Sequence, residues 1–220
     1  EIMVNIVTAF EDTQILKPLV DELVNNVDTI KSIVNNITRR KAGVSAGEYE
    51  INLYGEKFIK EIINGMIFNI SANSFFQTNT KQTEKLYSMI IDEADLNGDE
   101  IVYDLYCGTG TIGISMAKHV ESVYGFEINT SAVNDAEVNA KINNIKNVHF
   151  LKGDLQNIFR VNLDTEKIEK PNIIIIDPPR AGMHKKTISD IIQKDPEKII
   201  YISCNPSTQA RDIKELCANH

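Results

Sequence analysis

Five short apolar stretches constrain this chain more than any other feature: "EIVYDLY" at 100–106, "SVYGFEI" at 122–128, "NVHFL" at 147–151, "NIIIID" at 172–177 and "KIIYIS" at 198–203. Each has the length of a strand, and helical segments separate most of them. Apolar strands that alternate with helices imply a parallel sheet covered on both faces. The predicted fold class is therefore α/β, a doubly wound, mostly parallel sheet spanning 79–220. In such sheets ligands bind beyond the carboxyl ends of the strands. Residues able to do chemistry are expected at those ends.

The first third has a different character. "EIMVNIVTAF" predicts a strand, and "QILKPLVDELVNNVDTIKSIVNNIT" places apolar residues from Leu16 to Ile37 at helical spacing, which predicts one packing helix over 14–38. "KFIKEIINGMIFNIS" sets Asn64-Gly65 between two apolar runs, the signal of a tight hairpin. Residues 1–78 are thus expected to be part of a smaller α+β domain ahead of the main one.

Composition narrows the function. Of 220 residues, 42% are hydrophobic and 25% charged, as in soluble globular domains. No apolar run approaches the ~20 residues that cross a bilayer. The start lacks the marks of a signal peptide, so a cytoplasmic location without membrane association is expected. The net charge of −8 argues against holding nucleic acid by bulk electrostatics, and an RNA partner would need a local basic patch or another domain. Cys107, Cys204 and Cys217 form no CxxC pair, and the four histidines have no ligand spacing, so no metal is assigned. Cys107 and Cys217 are expected to be packing residues.

The motifs fall at the strand ends. "DLYCGTGTIG" holds Gly108, Gly110 and Gly113 between a strand and a helix, where glycines permit a tight turn and close approach of a nucleotide. Glu127 ends the next strand, where a carboxylate suits ribose hydroxyls. Both features fit a dinucleotide as well as S-adenosylmethionine. Asp104, inside the strand before the loop, separates them: its charge would oppose a pyrophosphate but favour a cationic sulfonium and ammonium. "DPPRAGMH" holds Asp177 and Arg180 at a rigid proline turn, and Cys204 lies at the end of the following strand. Read alone, Cys204 is a small buried hydrophobe; above a cofactor cleft it becomes a candidate nucleophile.

Four segments, "SFFQTN" at 74–79, "DLYCGTGTIGI" at 104–114, "DPPRAGMH" at 177–184 and "SCNPSTQARD" at 203–212, together resemble the RNA 5-methyluridine methyltransferases. The resemblance implies a Rossmann-like S-adenosylmethionine-dependent methyltransferase fold and methylation of uracil C5. It implies Cys204 as the nucleophile that adds to uracil C6. It further implies Gln77, Tyr106, Thr111, Glu127, Asp154 and Asp177 as cofactor-binding residues. "FFQTN" and "CGTGTIG" are more similar to the ribosomal-RNA members, of the 23S type, than to the transfer-RNA members. A monomer is expected. The family's proton-abstracting glutamate lies downstream of the "SCNP" helix, past His220, so this chain is expected to bind S-adenosylmethionine without efficient turnover. A methyltransferase of another substrate class, an NAD-dependent oxidoreductase and a non-catalytic RNA-binding module are the competing readings.

Overall fold

The computed structural model describes residues 1–39, 48–155, 157 and 168–218. Strand β1 (Ile2–Thr8) leads into α1 (Thr13–Asn26), β2 (Ile30–Ile37) and β3 (Tyr49–Gly55), which form a three-stranded sheet in the order β1-β2-β3. Asp12 starts α1 by accepting the main-chain N–H groups of Gln14 and Ile15 at 3.2 and 3.1 Å.

The long helix expected over 14–38 stops at Asn26, and its second half is the central strand β2, parallel to β1 and antiparallel to β3. Ile30, Ile33, Val34 and Ile37 have helical spacing by coincidence. A central strand is covered on both faces, so its apolar residues need not alternate, and β-branched side chains suit it. The intervening Asn35 and Asn36 are buried as well. Asn35 donates to the Ile6 carbonyl at 2.9 Å and Asn36 to Asn5 Oδ1 at 2.7 Å. These bonds make burial of polar side chains tolerable where an amphipathic reading would have put them in water.

The hairpin falls where expected, with β4 (Phe58–Ile63) paired to β5 (Met66–Ser71) and both Asn64 (φ +48°) and Gly65 (φ +75°) left-handed. Two positive φ values match the twist of a two-residue hairpin turn, which is why Asn-Gly fits. The hairpin packs into the core of the larger layer. Ile63, Met66 and Phe68 share one apolar cluster with Tyr87 and Ile90 of α2 (Thr80–Ala94) and with Val102 of β6 (Ile101–Leu105).

The larger layer continues with α3 (Thr111–Met116), β7 (Ser122–Glu127), α4 (Thr130–Ile142), β8 (Val148–Lys152), β9 (Ile173–Ile176), α5 (Lys185–Lys194), β10 (Lys198–Tyr201) and α6 (Pro206–Cys217). All five strands are parallel, in the order β10-β9-β6-β7-β8. The two-residue period of a strand divides their side chains between the faces. Val102, Ile173 and Ile175 join the hairpin's cluster, whereas Ile101, Tyr103, Leu105, Ile174 and Ile176 join α5 and Leu216 of α6 in a second one. Chain order runs one way from β6 through β8 and the other way through β9 and β10. The switch point therefore lies between β6 and β9, and a ligand crevice is expected above it.

Cys107 is buried as expected, but Cys217 is exposed. Leu216 is the residue of that last turn that faces the core, and its neighbour along a helix points about 100° away.

Phe68 has no exposed surface, so Phe68→Ala is expected to lower stability by about 3–5 kcal/mol in urea unfolding followed by circular dichroism. A loss below about 1 kcal/mol would show that the hairpin is not part of the main core.

Candidate active site

At the end of β6 the chain turns sharply. Tyr106 (φ +65°) is left-handed despite its β-carbon, and Gly108 (φ +53°) and Gly110 (φ +77°) follow it into α3. Gly110 is required twice over, because a β-carbon there would also fall 2.6 Å from the Phe150 ring. Glu127, at the end of the adjacent β7, holds the loop from the side. Its carboxylate accepts Gly108 N–H at 3.1 Å and Asn129 N–H at 2.8 Å. Each oxygen has used one lone pair and can still accept from a ligand hydroxyl.

Asp104 lies beneath this loop, fully buried. By strand parity it shares the face of Val102, toward α3. Its Oδ2 accepts Gly113 N–H at 3.0 Å, while Oδ1 is buried without a hydrogen-bond partner among the described residues. Gly113 lets α3 come this close, since a β-carbon there would sit 3.0 Å from Val123 and 3.2 Å from Asp104 Oδ2. Burial raises the Asp104 carboxyl to about 7; the Gly113 N–H opposes that shift, and the carboxylates of Asp177 and Glu127 add to it. Asp177 is raised to about 6 by burial. Two acidic groups thus share the site, both raised by burial and Asp104 further by its acidic neighbours.

A cleft opens above these groups, walled by Phe76, Gln77, Tyr106, Gly108, Thr111 and Asp177. The structure therefore brings together four of the residues expected to bind cofactor, Gln77, Tyr106, Thr111 and Asp177. Glu127 joins them through Gly108. Asp154 follows β8 and reaches the cleft electrostatically: burial, then the charges of Asp212 and Asp154, push the Tyr106 phenol up to about 12. The Thr111 hydroxyl lies 2.6 Å from the Tyr87 hydroxyl, which fixes its direction.

Cys204 is exposed, two residues before α6. Asn205 caps that helix by accepting Ser207 N–H at 3.1 Å, and Pro206 begins it. The loop is tied to the proline turn through a single acceptor. The Arg180 carbonyl receives Asn205 Nδ2 at 3.0 Å and Thr208 Oγ1 at 3.2 Å. Arg180 thus contributes its main-chain carbonyl to the tie.

Asp212 locks the arrangement from below. Fully buried, it accepts Met183 N–H at 2.7 Å and the Tyr201 hydroxyl at 2.7 Å through Oδ2, and Arg211 Nε at 2.8 Å through Oδ1. Burial alone would raise its carboxyl, but the N–H of Met183, the Tyr201 hydroxyl and Arg211 outweigh burial and hold it below the ordinary range. Arg211 also donates to the Ala181 carbonyl at 3.0 Å. Gly182 (φ +76°) is the residue that lets the turn close, since a β-carbon there would meet Arg211 and Asp212 at 2.5 and 2.6 Å.

Comparison with known proteins agrees with this geometry. Residues 54–220 match the family described as tRNA (uracil-5-)-methyltransferase. The chain belongs to that family. A Chlorobaculum tepidum protein named as an uncharacterized RNA methyltransferase is 43% identical over 219 residues, covering 99% of this chain and 45% of its own length. One from Clostridium acetobutylicum is 40% identical over 213 residues, covering 97% of this chain and 46% of its own. Among solved structures, the Pyrococcus abyssi tRNA (uracil-54, C5)-methyltransferase in complex with S-adenosyl-L-homocysteine superposes with a TM-score of 0.75 at 33% identity, over 97% of this chain and 49% of that one. This chain therefore spans less than half the length of these relatives.

Within the family's motifs the structure adds residues that sequence reasoning left without a role. Gly182 sits inside "DPPRAGMH", and Arg211 and Asp212 end "SCNPSTQARD". The available signal was a charged pair inside a motif that otherwise holds the candidate nucleophile and a helix cap.

An acid with a raised pKa destabilises the folded state once it ionises. For Asp104 that cost is absent near its ordinary 3.8, grows as pH rises and is complete above about 7. Asp104→Asn keeps an acceptor for Gly113 N–H. It is expected to exceed the parent in stability at pH 8 by up to about 4 kcal/mol, with the difference vanishing toward pH 4. Thermal unfolding across that range measures it, and a pH-independent difference would contradict this account.

Proposed function

We propose that this chain carries the S-adenosylmethionine site and the nucleophile of an enzyme that methylates uracil C5 in RNA. The observation that carries the proposal is the buried Asp104, with an oxygen left unpartnered, beside a glycine-loop cleft whose neighbouring loop presents an exposed cysteine.

The cleft suits the cofactor's chemistry. Asp104 and Asp177 answer the positive charge of a sulfonium and an ammonium group, and Glu127 retains acceptor capacity for ribose hydroxyls. A dinucleotide would bring a pyrophosphate over the same carboxylates. Gln77, Tyr106 and Thr111 would line the bound cofactor, and Asp154 would face its adenine edge. When bound, S-adenosylmethionine supplies an electrophilic methyl group.

Uracil C5 is a weak nucleophile, and Cys204 remedies that. The Cys204 thiolate forms a bond to C6, and the C5=C6 electron pair moves onto C5 and the adjoining carbonyl. C5 would then be nucleophilic enough to take the methyl group of bound S-adenosylmethionine, whose S–CH3 bond would break to leave S-adenosylhomocysteine. A base removes the C5 proton, the double bond re-forms and Cys204 leaves as thiolate. The target nucleotide must leave its stack to reach an active site of this kind. The tie between the Arg180 carbonyl and the Asn205 loop keeps Cys204 beside the turn that bears Asp177, so nucleophile and methyl donor meet at one sheet edge.

Two RNA classes are candidates. The "FFQTN" and "CGTGTIG" segments favour ribosomal RNA of the 23S type. Transfer RNA is the second reading, favoured by the family's description and by the substrate named for the Pyrococcus abyssi enzyme. Methylation of each RNA by the protein containing this chain decides between them.

RNA carrying 5-fluorouridine tests the nucleophile. With S-adenosylmethionine present, a methylated C5 would carry fluorine in place of the proton that a base must remove, so the Cys204 adduct would persist whatever base completes the normal reaction. A denaturation-resistant protein–RNA band is expected with the parent chain and not with Cys204→Ala; a band of equal intensity in the variant would reassign the nucleophile.

The pH dependence of cofactor binding tests the carboxylates. Asp104 and Asp177, raised to about 7 and about 6, are largely protonated at pH 5.5 and must ionise to face a cation. Binding therefore releases protons, and affinity is expected to rise from pH 5.5 to 7.5, below the range where the ligand's own amine loses its charge. Titration calorimetry in buffers of different ionisation enthalpy measures both effects. Affinity that falls with pH would remove these carboxylates from the cationic end of the site.

A further inference from the structure

Helix α4 begins three residues after Glu127 and carries Asp135 and Asn139, with Asn143 at its C-cap, at intervals of four. Asparagine is a poor residue for a helix interior, because its side chain competes for nearby main-chain groups. Here these side chains pair with a strand. The Ile63–Met66 pair flanks a two-residue turn, so Ile67, Asn69 and Ser71 direct their main-chain groups away from β4, toward the open edge of the hairpin.

Asn143 Oδ1 accepts Ile67 N–H at 3.0 Å, and its Nδ2 donates to the Ile67 carbonyl at 2.7 Å. Asn139 repeats the pattern on Asn69, at 2.7 and 3.2 Å. Asp135 accepts Ser71 N–H at 3.1 Å and the Ser74 hydroxyl at 2.7 Å. The periods match: four helical residues rise about 6 Å and two strand residues about 6.6 Å. The side chains of α4 thus stand in for a third strand on an edge that would otherwise be unpaired.

Asn139 does more than its neighbours. It is fully buried, and its Nδ2 also donates to the Thr109 carbonyl, at 3.3 Å, in the middle of the glycine loop. One carboxamide therefore ties two walls of the cofactor cleft: the glycine loop, and the hairpin whose continuation carries Phe76 and Gln77. Asn129 closes the far end by donating to the Asn73 carbonyl at 3.3 Å, just ahead of that segment.

We infer that Asn139 is a positioning residue that couples the Gln77 arm to the glycine loop and so sets the width of the cofactor cleft. The inference rests on the cofactor site proposed above. Asn139 touches no cofactor in this account; it acts through Gln77 and Thr109. The carboxamide is needed in full, because the same side chain must accept one N–H and donate to two carbonyls. Asn139→Asp would keep the acceptor but set a carboxylate against both carbonyls, so it is expected to behave like Asn139→Ala.

A double-mutant cycle on S-adenosylhomocysteine affinity tests the coupling. Asn139→Ala is expected to weaken binding about tenfold in the parent chain, and less than about twofold in a Gln77→Ala background, because the arm then has nothing left to position. An equal loss in both backgrounds, or no loss in the first, overturns the inference. Failure of the parent chain itself to bind the ligand would instead overturn the cofactor site. Should Asn139→Ala not fold, hydrogen exchange in the parent chain decides. Ligand binding is expected to slow exchange at the Asn69 and Ile67 amides, which lie on the far side of the carboxamide from the cleft, and unchanged exchange there overturns the inference.

Discussion

The hydrogen bond from Gly113 N–H to Asp104 is the contact around which the site is arranged. It places a carboxylate in the hydrophobic middle of a sheet with a single main-chain donor for company. Burying charge in this way is unfavourable, and the neighbouring carboxylates of Asp177 and Glu127 add to the cost. The burden is tolerable because β6 and β9 around it are almost wholly apolar and buried. The glycines of the loop follow from it too, since Gly113 has no β-carbon to hold α3 off the carboxylate.

The rest of the site is held by side chains that bond to main chain. Glu127 binds the glycine loop, Asn139 binds both that loop and the hairpin, and Asp212 binds the turn after Asp177. In each case a group on a regular element fixes a segment that has no ladder of its own. Loops fixed in this way can present functional groups precisely while keeping glycine-permitted turns. Local strain at Tyr106 is compatible with this design, because neighbours on both sides determine the path of the loop.

This division explains what could be read in advance. The five parallel strands were legible because each is a short apolar run between helices, and the hairpin because Asn-Gly demands positive φ at two positions. Cys204, Asp177, Gln77 and the glycine-loop residues were singled out through motifs, and the structure places Gln77, Asp177 and the loop around one cleft. Strand β2 was not, because a strand covered on both faces loses its alternation, and Ile30, Ile33, Val34 and Ile37 then imitate a helix. Asn139 and Asp212 were not legible for a related reason. A polar residue on a helix usually faces water, and nothing local announces that a distant main-chain edge lies opposite. Cys217 failed the other way, one position along the helix from the residue that does face the core.

The charge distribution also bears on the RNA substrate proposed above. Asp177 lines the cleft, Asp104 lies buried beneath it and Glu127 holds its glycine loop, an acidic setting that suits a cationic donor and disfavours phosphate. Uracil is neutral, so the base can approach that region while its backbone stays outside. Outside it, the groove between α5 and α6 carries Lys185 and Lys214 beside Glu215, while Arg211 there is paired with Asp212. With a net charge of −8 the chain gains little from long-range attraction to RNA, and any local basic patch must act at short range, where salt screens it least. On the proposed reading, the carboxylates disfavour phosphate where the methyl donor would bind, while a neutral base carries no charge for them to repel.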